Sequence, residues 1–251
     1  MQSRLLIIFS FVAIIFSSNA FAIVNIESAR VQKKEEGFSG QLEVDASVQS
    51  GNTNNTRIGA GSRLQWIRGK VTDFIVLNYD YGESSKTRDI NKAFLHGRHI
   101  VQRNKRWAWE VFGQLEQNEF TRLSFRALAG GGLRRTIREE ADRDAMYFGF
   151  GGFYSTERLD DNSTTNLVRV NTYFVFKHAL NPNTRFISTT YYQPATNDFS
   201  DYRLLEQAAF SVGINKSLDL KLSVDVAHDS QPPVGVKFTD TSFRTGIAYR
   251  F

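Results

Sequence analysis

From Phe38 to its last residue, Phe251, the chain alternates apolar and polar residues with a period of two. In an extended strand successive side chains point to opposite faces, so this pattern describes strands that meet an apolar medium on one side and a polar one on the other. A helical core would need apolar residues every three to four positions instead. Turn residues break the alternation into twelve segments, at approximately 38–50, 55–67, 71–82, 91–102, 107–118, 122–136, 145–156, 165–177, 184–193, 202–214, 218–229 and 240–251. In the first, Leu42, Val44, Ala46 and Val48 oppose Gln41, Glu43, Asp45 and Ser47. In the second, Ile58, Ala60, Leu64 and Trp66 oppose Arg57, Arg63 and Gln65. In the eleventh, Leu218, Leu220, Leu222, Val224 and Val226 oppose Asp219, Lys221, Ser223 and Asp225. The seventh (AMYFGFGGFYS) is apolar on both faces, and pattern alone does not orient it.

A soluble two-sheet sandwich would alternate too; strand number and closure separate the two readings, and the N-terminus adds to them. Arg4 precedes an apolar run, Leu5 to Phe16, and Ala20-Phe21-Ala22 follows as a small-x-small cleavage pattern. This reads as a secretory signal over residues 1–22, because a membrane-spanning helix needs about 20 apolar residues. Residues 23–37 are charged and weakly patterned, a periplasmic lead-in. An exported sheet in lipid can leave no backbone edge unpaired, so it must close, and bacterial single-chain barrels close with an even strand number. The expectation is an all-β fold, a closed antiparallel transmembrane β-barrel of about 12 strands over residues 38–251, in the outer membrane of a Gram-negative cell.

Composition supports this. Phe 21, Tyr 9 and Gly 18 against Pro 4 favour strands, and aromatic residues at 13% supply interface girdles. With no cysteine there is no disulfide, thiolate or cysteine–zinc chemistry. The formal charge of +5 drops by one when Arg4 leaves with the signal; it is too mild and dispersed to suggest nucleic acid. With both termini periplasmic, the turns at 68–70, 103–106, 137–144, 181–183 and 215–217 face the periplasm. The loops at 51–54, 83–90, 157–164, 194–201 and 230–239 face outward. None is long enough to form a plug domain. The expected partners are outer-membrane lipids with lipopolysaccharide, and the barrel assembly machinery during insertion. The oligomeric state is left open.

The chain also resembles a known family. Ser50-Gly51-Asn52-Thr53, Phe94-Leu-His96-Gly-Arg98 and Trp109-Glu110-Val-Phe112-Gly-Gln114 carry the resemblance. So do Phe120, Leu123, Arg126-Ala-Leu128, Gly130-Gly-Gly-Leu-Arg134, Asp229-Ser-Gln-Pro-Pro233 and Tyr249-Arg-Phe251. Residues 38–251 thereby resemble the salt-induced outer-membrane proteins, a YdiY-like domain of unknown function. The resemblance implies a fold and a location, and no activity.

The candidate functional residues lie on the polar face. A turn centred near Asn104 places Arg98 opposite Glu110, and one centred near Phe120 places Arg126 opposite Gln114, flanked by Glu116 and Arg122. Together with Arg134 these form an expected lumen network of Arg98, Glu110, Gln114, Arg126 and Arg134. Barrels of about eight strands are filled by side chains and those of 16–18 leave a channel, so at twelve the length of the inward side chains decides. Arg57, Arg63, Arg98, Arg126, Arg169, Arg185, Arg203 and Arg244 are long and inward, with Phe94 and Phe112 on the same face. The expected functions are a structural or envelope-stress barrel, or a narrow passive pore with weak anion preference. The network then either stiffens the barrel or selects ions.

The alternative is an outer-membrane lipid hydrolase. His228-Asp229-Ser230 resembles the His-x-Ser of barrel phospholipases and deacylases, and Glu206 on the preceding segment is close enough to orient the histidine. Gln231-Pro232-Pro233 follows where those enzymes resemble Asn-Gly, so neither catalysis nor a cofactor is expected. Of the four histidines, His96 is inward, His99 outward, and His178 and His228 near segment ends, with no metal-ligand spacing. Ser50 to Asn55 lacks the lysine and helix of a phosphate loop and reads as a hairpin turn.

The end of the chain carries its own signal. Phe243, Thr245, Ile247, Tyr249 and Phe251 share one face, and Phe243, Ile247, Tyr249 and Phe251 resemble the terminal pattern that barrel assembly machinery recognises. Deleting Phe251 is expected to lower the yield of folded, heat-modifiable protein in outer membranes far more than Lys105→Gln does. Equal yields on gel-shift analysis would remove Phe251 as an assembly signal.

Overall fold

In a computed structural model, residues 36–49, 55–84, 87–140 and 143–251 are described. The expected signal, lead-in residues 23–35, and the Ser50 to Asn54 stretch of the first hairpin lie outside them. Twelve strands are present among the described residues. They are β1 Gly37–Gln49, β2 Asn55–Arg68, β3 Val71–Ser84, β4 Thr87–Gln102, β5 Trp107–Asn118 and β6 Leu123–Glu139. There follow β7 Asp144–Leu159, β8 Thr164–Asn181, β9 Thr184–Pro194, β10 Tyr202–Gly213, β11 Leu218–Asp229 and β12 Thr239–Arg250. One 3-10 turn, Glu119–Thr121, lies between β5 and β6. The expected loop at 83–90 is largely strand: β3 runs to Ser84 and β4 begins at Thr87, with a register shift at Gly82/Glu83.

Every strand pairs antiparallel with its neighbours in the chain, and β12 returns to β1, which makes the sheet a closed barrel. The closing ladder runs from Gln41↔Arg250 to Asp45↔Gly246. Below it, Phe251 and Gly40 exchange backbone hydrogen bonds of 3.0 and 2.9 Å. The Phe251 ring lies over Gly40, where a Cβ would sit 2.3 Å from it and displace it. Phe243, Ile247, Tyr249 and Phe251 all lie exposed on the outer wall.

The alternation sorts as its chemistry demands. Leu42, Val44, Ile58, Leu77, Val111, Phe150 and Phe243 are exposed on the outside, while Arg63, Gln65, His96, Arg98, Glu110 and Arg126 are buried inside. That is the reverse of a water-soluble protein and fits a wall bathed in hydrocarbon. All three tryptophans, Trp66, Trp107 and Trp109, stand at the rim of short turns, where Gly69-Lys70 and Pro182-Asn183 suffice to reverse the chain. Tyr79, Tyr81, Tyr154 and Tyr192 stand toward the opposite rim, which carries the longer loops 195–201 and 230–238. Paired aromatic belts of this kind mark the two membrane interfaces.

The unoriented seventh segment resolves in β7. Phe153 is buried inside and Phe148, Phe150 and Tyr154 are exposed outside. Its glycines explain why pattern failed, since Gly149 and Gly151 stand on the inner face, Gly149 beside Tyr173 and Arg134 and Gly151 against the backbone of Gly131 and Gly132. A Cβ on Gly149 would lie 2.0 Å from the Tyr173 ring, so glycine makes room for a tyrosine across the ladder. Gly149→Ala is expected to destabilise by about 1–3 kcal/mol, the usual range for overpacking. Tyr173→Ala in the same chain should recover part of that loss. Urea unfolding in detergent micelles reads both, and an unaltered midpoint for Gly149→Ala would show that the ring has room to move.

Candidate functional site

The lumen wall bears nearly all the buried charge, and it is organised around carboxylates. Glu110 of β5 receives Arg98 Nη1 at 3.0 Å and the Tyr173 hydroxyl at 2.6 Å, and Arg134 lies 3.7 Å away. Aromatic rings surround these arginines. The Arg98 guanidinium is within 5.8 Å of Phe74, Phe112 and Tyr173, Arg63 lies 4.4 Å over Phe74, and Arg134 lies 3.8 Å over Tyr147. Cation–π contacts out of water add to the ionic hold.

A second cluster stands nearer the long-loop rim. Glu157 of β7 binds Arg126 at 2.9 Å and Arg203 at 2.6 Å. Arg126 also binds Glu116 at 3.1 Å, and Arg203 binds Asp229 at 2.9 Å. Gln114 donates to Glu116 at 3.3 Å and lies 3.3 Å from His96 Nδ1. Between the two clusters the His96 ring stacks with Phe74, Phe94 and Phe112.

The registers differ from expectation by two residues. Arg98 lies opposite Phe112 and Glu110 opposite Ile100, so the Arg98–Glu110 pair is diagonal. Arg126 lies opposite Glu116, not Gln114. The turn after β4 holds 103–106, where Asn104 Oδ1 accepts from the backbone N–H of Arg106 and Trp107, and this moves the hairpin centre one residue along. The 3-10 turn and a register shift at Glu116/Asn118 do the same after β5. Arg122 leaves the network: with φ +60° it turns to Asp160 and Asp161 in the loop after β7. The Arg122 guanidinium there holds the Asp160 carboxyl below its ordinary range.

The remaining arc of the lumen, β1, β2 and β10 to β12, is built differently. Gly59, Gly61, Ala209, Ser211, Ser223, Ser242 and Gly246 face inward, and ion pairs are strung among them. Lys221 binds Glu43 at 2.7 Å and Arg244 binds Asp225 at 3.0 Å; at the border with β3 and β4, Asp80 binds Arg57 at 2.7 Å and Lys92 at 3.2 Å. Side-chain exposure is graded around the ring: 30% for Arg244 and 26% for Glu43, 12% for Arg57 and Arg203, and 1% for Arg98. Solvent reaches furthest beside β1, β11 and β12, while Arg63 and Gln65 of β2 and Asp229 of β11 are buried like the packed side. No sequence signal at a single position marks this division; it needs the register of all twelve strands.

The hydrolase constellation is not assembled. His228 Nδ1 shares a hydrogen bond of 2.8 Å with Thr239 Oγ1. Ser230 Oγ donates to the Ser200 carbonyl and accepts from the Tyr202 N–H. Glu206, on the lipid-facing wall, accepts from Ser188 Oγ at 2.7 Å and from Thr190 Oγ1 on the strand away from His228. Among the described residues no group of three or more His, Cys, Asp or Glu is placed to hold a metal. His99 pairs with Asp73 and His178 with Asp144, each at 2.6 Å.

Removing the hub carboxylate takes a shared counter-charge from two buried guanidinium groups. Glu110→Ala is expected to destabilise by about 3–5 kcal/mol, the range for breaking a buried pair. Exposed Glu140→Ala, which loses Arg138, is expected to cost under about 1 kcal/mol. Equal shifts in urea midpoint for the two would show that Glu110 is not the hub.

Solved structures with the same overall shape are outer-membrane barrels. A NanC porin superposes with a TM-score of 0.53 at 8% identity, covering 85% of this chain and 99% of its own. An outer-membrane channel from Pseudomonas putida F1 gives 0.55 at 9% identity, covering 90% and 98%. A bacterial polysaccharide outer membrane secretin gives 0.50 at 8% identity, covering 85% and 98%. At such identities the likeness is one of fold. No curated protein sequence matches the chain. Residues 42–251 match the model of a family described as "Protein of unknown function, DUF481".

Proposed function

We propose that the chain, which belongs to the DUF481 family, is a narrow passive pore of the outer membrane whose pathway follows the solvent-reached arc of the lumen. The observation that carries this reading is the unequal filling of the barrel. The β3 to β9 side is packed by Phe74, His96, Arg98, Phe112 and Tyr173, all buried. The side around β1, β11 and β12 keeps small residues and the partly exposed pairs Lys221–Glu43 and Arg244–Asp225. Side chains that fill part of a mid-sized barrel narrow it without closing it. The porin and channel folds of the comparison structures agree with this use. Export under residues 1–22, insertion by the barrel assembly machinery and residence among lipopolysaccharide and phospholipid belong to the same proposal.

Selectivity follows from the groups along the arc. Lys221 and Arg244 alternate with Glu43, Asp45 and Asp225, and Arg57 with Asp80 and Lys92 stands where this arc borders β3 and β4. Rings of charge set permeation by the field they present to an ion stripped of part of its water. Arg185 and Lys216, toward the short-turn rim and without an ion-pair partner among the described residues, tip this mixed lining toward anions. A second reading, a structural barrel that conducts nothing, is favoured by the buried arginine clusters.

Reconstitution into planar bilayers should give small single-channel currents with weak anion preference. Lys221→Gln with Arg244→Gln should move the reversal potential toward cations, because Glu43, Asp45 and Asp225 remain. No current above the bare bilayer would overturn the pore and leave the structural barrel. Turnover of phospholipid esters that Ser230→Ala abolishes would revive the hydrolase.

A further inference from the structure

Between the ends of β9 to β12 at the short-turn rim lies a cavity of about 480 Å³, lined by Asn183, Arg185, Ser211, Lys216, Asp219 and Arg250 among others. Its charge is unbalanced. Arg250 Nη2 binds Asp219 Oδ1 at 2.8 Å, so that pair is neutral. Among the described residues neither Arg185 nor Lys216 has a hydrogen-bond or ion-pair partner, which leaves two free cations. Elsewhere in the lumen Arg98, Arg126, Arg203 and Arg244 each hold a carboxylate within 3.0 Å. Arg185 departs from that rule, and it does so from an inward, half-buried position on β9, opposite Ser211.

We infer that this vestibule binds the phosphate or carboxylate group of a small anionic solute arriving from the periplasm. The guanidinium of Arg185 offers parallel donors that match a planar or tetrahedral oxyanion, and Lys216 adds a mobile point charge from the turn. The Ser211 hydroxyl and the Asn183 side-chain amide supply neutral donors on the same wall. The volume lies within the range of small-molecule sites. The vestibule also opens onto the small-residue arc, since Ser211 lies opposite Lys221, the next cation along the lumen. The inference rests on the pore reading for its purpose but not for its test. An anionic phospholipid headgroup carries the same phosphate chemistry, but Arg185, Ser211 and Asp219 face the lumen, which favours a free solute.

The experiment measures binding without current. The full exported chain is purified in neutral detergent, and inorganic phosphate is titrated while its phosphorus resonance is followed for line broadening. Saturable broadening is expected, with affinity falling about tenfold or more in Arg185→Gln/Lys216→Gln, the loss of charged hydrogen bonds. Lys105→Gln, in the turn between β4 and β5, should leave affinity unchanged. Arg185→Lys should retain most of it. No saturable broadening, or equal affinity in the double variant, would overturn the site. In nanodiscs, affinity should be the same with phosphatidylcholine and with phosphatidylglycerol. A loss confined to phosphatidylglycerol would assign the vestibule to headgroups and overturn the solute reading. Binding in a barrel that carries no current would sink the pore and keep the site.

Discussion

Lipid offers no partner to a backbone N–H or C=O, and this constraint governs the rest of the molecule. The twelve strands satisfy it only as a ring, because any open edge would leave a row of unpaired groups in hydrocarbon. The ladder from Gln41↔Arg250 to Asp45↔Gly246, extended by Gly40 and Phe251, turns a sheet into a wall with two separate surroundings. Once the wall is closed, strand alternation has no freedom left. Val44 and Ile247, opposite each other across the seam, must both face lipid, and Glu43 and Asp45 must face inward.

An inward face full of charge cannot stay dry without pairing, and the arginines and carboxylates of the lumen are arranged accordingly. Glu110 and Glu157 each gather two arginines from other strands, so each carboxylate fixes positions across the barrel as well as along it. Glycine on β7 admits Tyr173, and Tyr173 in turn completes the Glu110 hub. Packing on this side and small residues on the other are two halves of one arrangement. The stretch around β1, β11 and β12, where small inward residues are most frequent, is also where ion pairs keep contact with water.

Much of the fold was legible in the alternation. Strand number, inward and outward faces, and the shared face of Phe243, Ile247, Tyr249 and Phe251 follow from a period of two and need no tertiary information. Registers were less legible, because they hang on single turn residues. Asn104 caps two backbone N–H groups and shifts its hairpin, and Arg122 in a left-handed conformation shifts the next. Each displacement is an even number of residues, so every side chain kept its face while the cross-strand partners changed. Arg98 and Glu110 still meet because long side chains reach diagonally. The divided lumen and the vestibule around Arg185 were beyond reading from the sequence. Both arise from residues on several strands whose adjacency only the closed ring creates.

The closing seam has a consequence for how the barrel comes into being. Its partners, from Gln41 with Arg250 to Asp45 with Gly246, lie at opposite ends of the barrel sequence, while every other ladder joins neighbouring strands. The entropy of bringing such distant segments together must be met before their hydrogen bonds return anything. The local hairpins therefore have a head start, and loop-closure entropy puts the meeting of β1 with β12 at the end of the order. Until they meet, both unpaired edges belong to the same molecule, and each is a template for any other strand that reaches it first.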